Sequence, residues 1–398
     1  MPPPAPSSVP AQRLMSLDVF RGATIAAMML VNNPGNWGAV YPQLLHAPWH
    51  GWTFTDLVFP FFLWIVGVAI PLSVARRLEQ GQSRRELFGH AARRALILFG
   101  LGLFLNSFSY FLHGDLWRDF PGWLHDYATS VRIPGVLQRI AVCYLAATAV
   151  FLLTGLRGQV LATVLCLAGY WALMMLVPVP GYGAGVLEKQ GNLSQYLDNL
   201  ILNGPVIGTH VWKTAGTWDP EGILSTLPAI ASCLFGVLTG HLLRSKLIPE
   251  AKTSWMFVAG CGLLLAGQVL DAWLPINKNL WTSSYAVFMA GMALLCFGVC
   301  YWLVDVQGWR RWAQPFAIYG MNAITVFVLA GVLGRLSLEI KVSGAGDKPL
   351  ALKTWLFNGL SGWVPDPKIA SLLWAILYVL MLYAIAYAMY RRKWFIKF

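Results

Sequence analysis

The chain has 398 residues, of which 57% are hydrophobic and only 12% charged, with a mean hydropathy of +0.58 and 19 tryptophans. Those values exclude a soluble globular protein: apolar runs of the ~20 residues that cross a bilayer recur along the chain and define an all-α polytopic membrane protein. The formal net charge of +12 follows from basic connectors sorted to one side of the membrane, and no nucleic-acid-binding motif accompanies it.

Residues 1–12 are rich in Pro, Ser and Ala and lack the basic and apolar regions of a signal peptide, so they read as a disordered cytoplasmic tail. Residues 13–398 read as one transmembrane domain. About ten transmembrane helices are expected, at 16–33, 54–75, 95–112, 133–153, 159–177, 222–243, 254–274, 281–304, 315–337 and 369–390. Arg76, Arg77, Arg84, Arg85, Arg93 and Arg94 crowd the connector after the second, and further Lys/Arg groups mark every second connector and the C-terminus. The positive-inside rule then places both termini in the cytoplasm, with the connectors 34–53, 113–131, 178–221, 275–280 and 338–368 on the outer side.

Polar groups at membrane depth are expensive unless partnered, so they mark candidate sites. Asp18 and Arg21 share a face of the first helix and read as an ion pair. Asn32 closes that helix and Asn33 follows it; an amide there caps the helix end or holds a substrate carbonyl. The stretch His46-Ala47-Pro48-Trp49-His50-Gly51-Trp52-Thr53-Phe54-Thr55-Asp56 then runs directly into the second span. An imidazole is the usual general base, which makes His46 a candidate at the mouth of the bundle. Asp56, ten residues on, either orients that imidazole or caps the second helix. The His46/His50 spacing would suit a metal on a helix, but Pro48 and Gly51 break the helix and no Glu completes the motif, so no metal is assigned.

Arg93 and Arg94 stand where the third helix enters the membrane. Topology alone accounts for such arginines, but they are also the candidates for the phosphates of a cytoplasmic cofactor, because guanidinium matches phosphate geometry. Arg132 and Arg139 open the fourth span, and Arg139 lies too deep to be topogenic, so it should face a partner or an anionic ligand. Asp219-Pro220 gives a start signal for the sixth helix, with Asp219 and Glu221 as substrate contacts in the alternative reading. Lys278 and Asn279 lie in a short outer turn; Lys278 runs against the charge rule and calls for a functional explanation. The six cysteines all fall in apolar runs and read as small hydrophobes.

These residues together resemble a known family, the transmembrane N-acetyltransferases typified by heparan-α-glucosaminide N-acetyltransferase, in a bacterial-type form. The resemblance rests on Arg13 with Ser16 to Gly22, on Val31-Asn32, on His46 to Gly51 followed by Asp56 to Pro60, and on Arg132 to Arg139. It continues through Asp219 to Gly222, Lys278 to Ser283, Gly320-Met321-Asn322 and Lys393-Trp394-Phe395. It implies that acetyl-CoA on the cytoplasmic side gives its acetyl group to the amine of a glucosamine-type sugar on the periplasmic or luminal side. His46 matches the family's active-site histidine and Asn32 its neighbouring asparagine. On this resemblance the chain is expected to depart from the lysosomal enzyme in a longer Asn32–His46 interval and in the absence of its extra N-terminal luminal portion and first span.

The expected protein is therefore an acetyl-CoA-dependent amino-sugar acetyltransferase of a bacterial inner membrane, compatible with a homodimer and without metal or nucleic-acid partners. His46 would be base or acetyl carrier, with Asn32 at the developing oxyanion. The rival class is a transporter of amino sugars or muropeptide fragments; neither an internal repeat nor a pair of broken hydrophobic segments supports it.

Overall fold

The computed structural model describes residues 14–112, 114–204, 208–212, 218–343 and 349–396. The backbone of an apolar segment has no water to bond to in hydrocarbon, so each such run satisfies its amides internally as a helix. In chain order these are α1 (Met15–Asn32), α2 (Phe54–Glu79), α3 (Arg84–Leu112), α4 (Phe120–Ser130), α5 (Val136–Leu153), α6 (Leu156–Leu176) and α7 (Leu193–Leu202). They continue as α8 (Thr226–Arg244), α9 (Pro249–Asp271), α10 (Ser283–Tyr301), α11 (Gln314–Met321), α12 (Ala323–Glu339), α13 (Leu352–Ser361) and α14 (Pro367–Arg391). Two short antiparallel hairpins, Asn203–Gly204 with Gly208–Thr209 and Lys341–Ser343 with Pro349–Ala351, ornament the connectors.

A helix falls on each of the ten expected segments, but two of these are not simple spans. Among the described residues, eight helices are individually long and apolar enough to cross a membrane. Helix α1 is not one of them, because Asp18, Arg21 and Asn32 dilute its hydropathy; most of its surface is buried against other helices, where lipid-like apolarity is not required. The expected span at 315–337 is a broken pair, α11 and α12, bent by 77°. The bend falls at Asn322, whose side-chain amide donates to the Trp394 carbonyl at 3.1 Å while its Oδ1 accepts from the Ile396 amide at 3.3 Å. Two motifs seventy residues apart in sequence thus meet and satisfy each other at the break.

The centre of the bundle is α2, with 78% of its most apolar stretch buried, whereas α6 and α9 at the periphery bury only 22% of theirs. Close crossings at glycine hold the centre together. A Cβ at Gly67 would lie 1.8 Å from the Cys233 carbonyl oxygen, and one at Gly236 would lie 2.0 Å from that of Trp64, so α2 and α8 touch backbone to backbone. Gly22 and Gly320 do the same for α1 and α11, at 1.8 Å from Phe316 O and 2.1 Å from Asp18 O. Such contacts give helices in lipid the dispersion energy that the hydrophobic effect cannot supply there. They also fix Arg21 beside the Asn322 break.

Candidate active site

His46 lies in the irregular loop between α1 and α2, and the first turn of α2 holds it in place. Asp56 Oδ1 is 2.5 Å from His46 Nδ1, and Asp56 Oδ2 accepts from the amides of Ala47 and Thr53, each at 3.0 Å. The Thr53 hydroxyl closes the loop onto the Leu45 carbonyl at 2.5 Å. Asp56 therefore serves both the readings open to it: it caps α2 by reaching back to Thr53, and it orients the imidazole. Its carboxylate is 1% exposed while the His46 side chain is 45% exposed, so the pair presents Nε2 outward from an ordered base. With Nδ1–H donated to Asp56, Nε2 carries the lone pair that accepts a proton.

The turn 275–282 packs over the same loop. The Gly51 amide donates to Ile276 O at 2.7 Å, and Asn277 Nδ2 lies 3.3 Å from His50 Nδ1. Tyr285 of α10 donates its hydroxyl to the Asp56 carbonyl at 2.6 Å. Lys278 acts electrostatically on both Asp56 and Glu221, joining the His46 loop to a second charged group. Asn279 is half-buried in this turn.

That second group centres on Arg132. Its Nε and Nη2 donate to Asp219 at 2.8 and 2.6 Å, and Nη2 also to Glu221 at 2.5 Å, a forked arrangement suited to guanidinium. Burial would lower the Arg132 pKa, but the two carboxylates outweigh it and hold the guanidinium charged far above the ordinary range. Burial likewise would raise that of Glu221, and Arg132 with Lys278 keeps it below the usual carboxylate value. Asp219 does not cap a helix as the sequence suggests: α8 begins at Thr226, and Asp219 instead accepts from the Trp212 and Glu221 amides at 2.9 Å each. The turn spends its residues on receiving Arg132 before the helix starts.

Arg139 is fully buried one helical face away. Its Nη2 donates to Gly222 O at 2.9 Å and to the Ser225 hydroxyl, and its guanidinium carbon lies 5.2 Å from the Trp281 ring centroid. Its depth was legible, but it lines neither of the cavities described below and ties α5 to the turn before α8.

Two cavities of about 380 Å³ each enter the bundle from opposite faces. The first lies on the His46 side, lined by Asn32, Asn106, Arg132, Gln138, Arg335 and Lys353 among others. Asn32 and Asn33 both line this cavity, and Asn33 also caps α1, its Nδ2 donating to Met29 O at 2.9 Å. The second opens on the basic face beside the Asn322 break, with Arg21, Arg77 and Arg94 in its lining and an apolar interior. Val136, Leu137 and Phe327 line both cavities, which therefore share a wall there. Arg94 sits 5.4 Å over the Tyr144 ring; Arg93 is exposed and lines neither cavity. His46 is not in either lining. Arg132 lines the first cavity, and its partner Glu221 and the Asp56 that holds His46 both lie in the field of Lys278.

One residue the sequence reading passed over is Asp198, on the amphipathic helix α7. Its Oδ1 accepts from the Ile223 amide at 2.8 Å, but Oδ2 has no hydrogen-bond partner among the described residues and the residue is 1% exposed. Burial pushes its pKa up to about 7; the Ile223 amide and Arg139 pull the other way, and Asp219 adds to the rise. A carboxyl whose folded pKa exceeds its unfolded value contributes most stability at low pH and loses it as pH climbs to the folded pKa. Asp198→Asn keeps the acceptor for Ile223 and removes that loss. Thermal unfolding in detergent should show the variant gaining on wild type between pH 4 and 7, by roughly 1.4 kcal/mol for each pH unit crossed, and holding its gain above pH 7. Parallel melting profiles across that range would mean that Asp198 is charged in the fold.

Residues 13–117 match a family model described as "Domain of unknown function (DUF5009)". The chain is also similar to two curated proteins named heparan-alpha-glucosaminide N-acetyltransferase. With the Homo sapiens protein it is 32% identical over 362 residues, 79% of this chain and 52% of that protein. With the Mus musculus protein it is 31% identical over 364 residues, 80% of this chain and 53% of that protein. The chain spans about half the length of the curated relatives it matches.

Proposed function

Taking as premise that this chain is homologous to the heparan-alpha-glucosaminide N-acetyltransferases over about four fifths of its length, we propose that it is a transmembrane N-acetyltransferase. Acetyl-CoA is the donor, a glucosamine-type amine the acceptor, and a bacterial cell membrane the setting, with the basic face in the cytoplasm. The observation that carries this reading is the pair of cavities from opposite faces sharing one wall at Val136, Leu137 and Phe327. A donor confined to one side and an acceptor on the other need such an arrangement.

The chemistry follows from the residues. CoA is anionic at its nucleotide end and cannot enter hydrocarbon there, so its diphosphate stays at the mouth with Arg77 and Arg94 while the thin pantetheine arm runs along the apolar interior. On the outer side, His46 Nε2 removes a proton from the sugar amine. The freed nitrogen attacks the thioester carbon, Asn32 donates to the developing oxyanion, the C–S bond breaks, and the CoA sulfur leaves with the proton returned from His46. Asp56 holds the imidazole and stabilises its protonated form. A variant of the same scheme has Nε2 attack first and carry the acetyl group; labelled acetyl trapped on protein without acceptor distinguishes the two. Arg132, Asp219, Glu221, Lys278 and Asn279 would position the sugar.

The break at Asn322 beside a cavity is a feature that a carrier would also use. The test separates the classes: purified protein should consume acetyl-CoA when given amino sugars from the His46 side, and a carrier would move sugar without consuming thioester. Within the donor site, Arg94→Gln and Arg77→Gln should each weaken acetyl-CoA binding about tenfold or more, whereas Arg93→Gln, on the outward side of the same helix, should leave it unchanged. Equal losses at 93 and 94 would move the diphosphate away from this mouth.

A further inference from the structure

A third cavity, of about 600 Å³, opens on the basic face and is lined by Asp18, Arg310, Arg311, Gln314, Tyr390 and Phe395, among others. It is a neighbour of the Arg77/Arg94 cavity: Met321 lines both, and the Asp18–Arg21 ion pair, 3.0 Å long, has one member in each lining. The C-terminal segment also spans the two, with Phe395 in one and Ile396 in the other. Nothing in the donor scheme above uses this space.

Its lining offers the kinds of group that a purine nucleotide engages. Arg310 and Arg311 make no ion pair among the described residues; Arg310 donates only from Nε, to the Val304 carbonyl at 3.4 Å. Two adjacent guanidiniums with unspent donors suit a dianionic phosphate. The Tyr390 and Phe395 rings, with centroids 6.4 Å apart and planes at 67°, offer an aromatic corner for a base. The Gln314 amide and the Asp18 carboxylate can bond a ring nitrogen, an exocyclic amine or a ribose hydroxyl. The volume falls in the ~300–1,000 Å³ range of small-molecule sites, and Arg21 balances the charge of Asp18.

We propose that this cavity binds the adenosine 3′-phosphate end of the donor, with Arg310 and Arg311 on the 3′-phosphate and Tyr390 and Phe395 against the adenine. The proposal rests on the acetyl-CoA reading above. It divides the donor into three parts: nucleotide in the third cavity, diphosphate at Arg77 and Arg94, and thioester at the shared wall. Because α11 lines the third cavity and ends at the Asn322 break, a bound nucleotide would also fasten the C-terminal segment over the donor mouth.

The discriminating measurement is the affinity of the full-length protein in detergent for acetyl-CoA and for acetyl-dephospho-CoA, which lacks only the 3′-phosphate. Wild type should prefer acetyl-CoA by about tenfold or more. The double variant Arg310→Gln/Arg311→Gln should lose that preference by weakening acetyl-CoA alone, a cycle that isolates the phosphate contact. Adenosine 3′,5′-bisphosphate should also displace labelled acetyl-CoA from unmodified wild type, and 5′-AMP should do so at least about tenfold less well, a comparison that needs no variant to fold. Equal wild-type affinity for the two donors, or a preference that survives in the double variant, overturns the site while leaving the donor reading intact. Binding of neither donor overturns both.

Discussion

His46→Ala is expected to lower acetyl transfer by about 10²–10⁴-fold, the usual contribution of a positioned acid–base group, while leaving acetyl-CoA affinity at the wild-type level. The two readouts separate because the imidazole, half exposed, sits on the opposite side of the bundle from Arg77 and Arg94. Asp56→Asn should lose nearly as much turnover and also stability. Its Oδ2 accepts the Ala47 and Thr53 amides, and an asparagine that turns its amide toward either pair leaves the other without an acceptor. The loss of a capping interaction is worth about 0.5–2 kcal/mol; His46→Ala also leaves Asp56 Oδ1 without its imidazole partner, so both variants should melt lower, with the backbone amides of Ala47 and Thr53 affected only at position 56. Wild-type turnover in purified, folded His46→Ala would remove the imidazole from the chemistry and leave the outer charged group around Arg132 as the place to look.

Hydropathy alone located a helix on every expected segment, because the requirement that a backbone in lipid bond to itself leaves little else for an apolar run to do. The break at Asn322 was invisible to that signal. Residues on both sides of it are apolar, and the compensating bonds come from Trp394 and Ile396, which no local pattern predicts. The connector 178–221 carries no apolar run long enough for a span, yet it contains α7 and, on its buried side, Asp198. The pairing of His46 with Asp56 was legible because both ends lie within one short loop entering one helix. Arg94 was separated from Arg93 only by the structure: neighbours on a helix point about 100° apart, and a sequence without partners does not say which of the two faces the cavity. The cavity's other cations, Arg77 and Arg21, come from different helices, and their convergence depends on the packing of α1 against α2 and on the glycine contact that joins α1 to α11.

Val136→Trp should abolish transfer to an acceptor on the His46 side while sparing donor binding at the basic mouth. Val136 stands at the first turn of α5 and lines both cavities, so an indole there grows into the space the acyl end must pass. The two cavities give the ring room without displacing packed neighbours, which sets this substitution apart from an ordinary overpacked core position. Misplacing reacting atoms by about 1 Å can cost about 10²-fold in rate, and a plug at the shared wall holds the thioester back by more than that. Turnover should therefore fall by at least about 10²-fold, with the acetyl-CoA dissociation constant moving little and Val136→Ala remaining active as the control for the site. The comparison bears on topology as well as chemistry. If Val136→Trp turns over normally, the acetyl group does not cross between Val136, Leu137 and Phe327, and donor and acceptor must meet on the same face of the membrane. If binding and turnover fall together, the wall belongs to the donor site itself, and the pantetheine arm ends there instead of passing through.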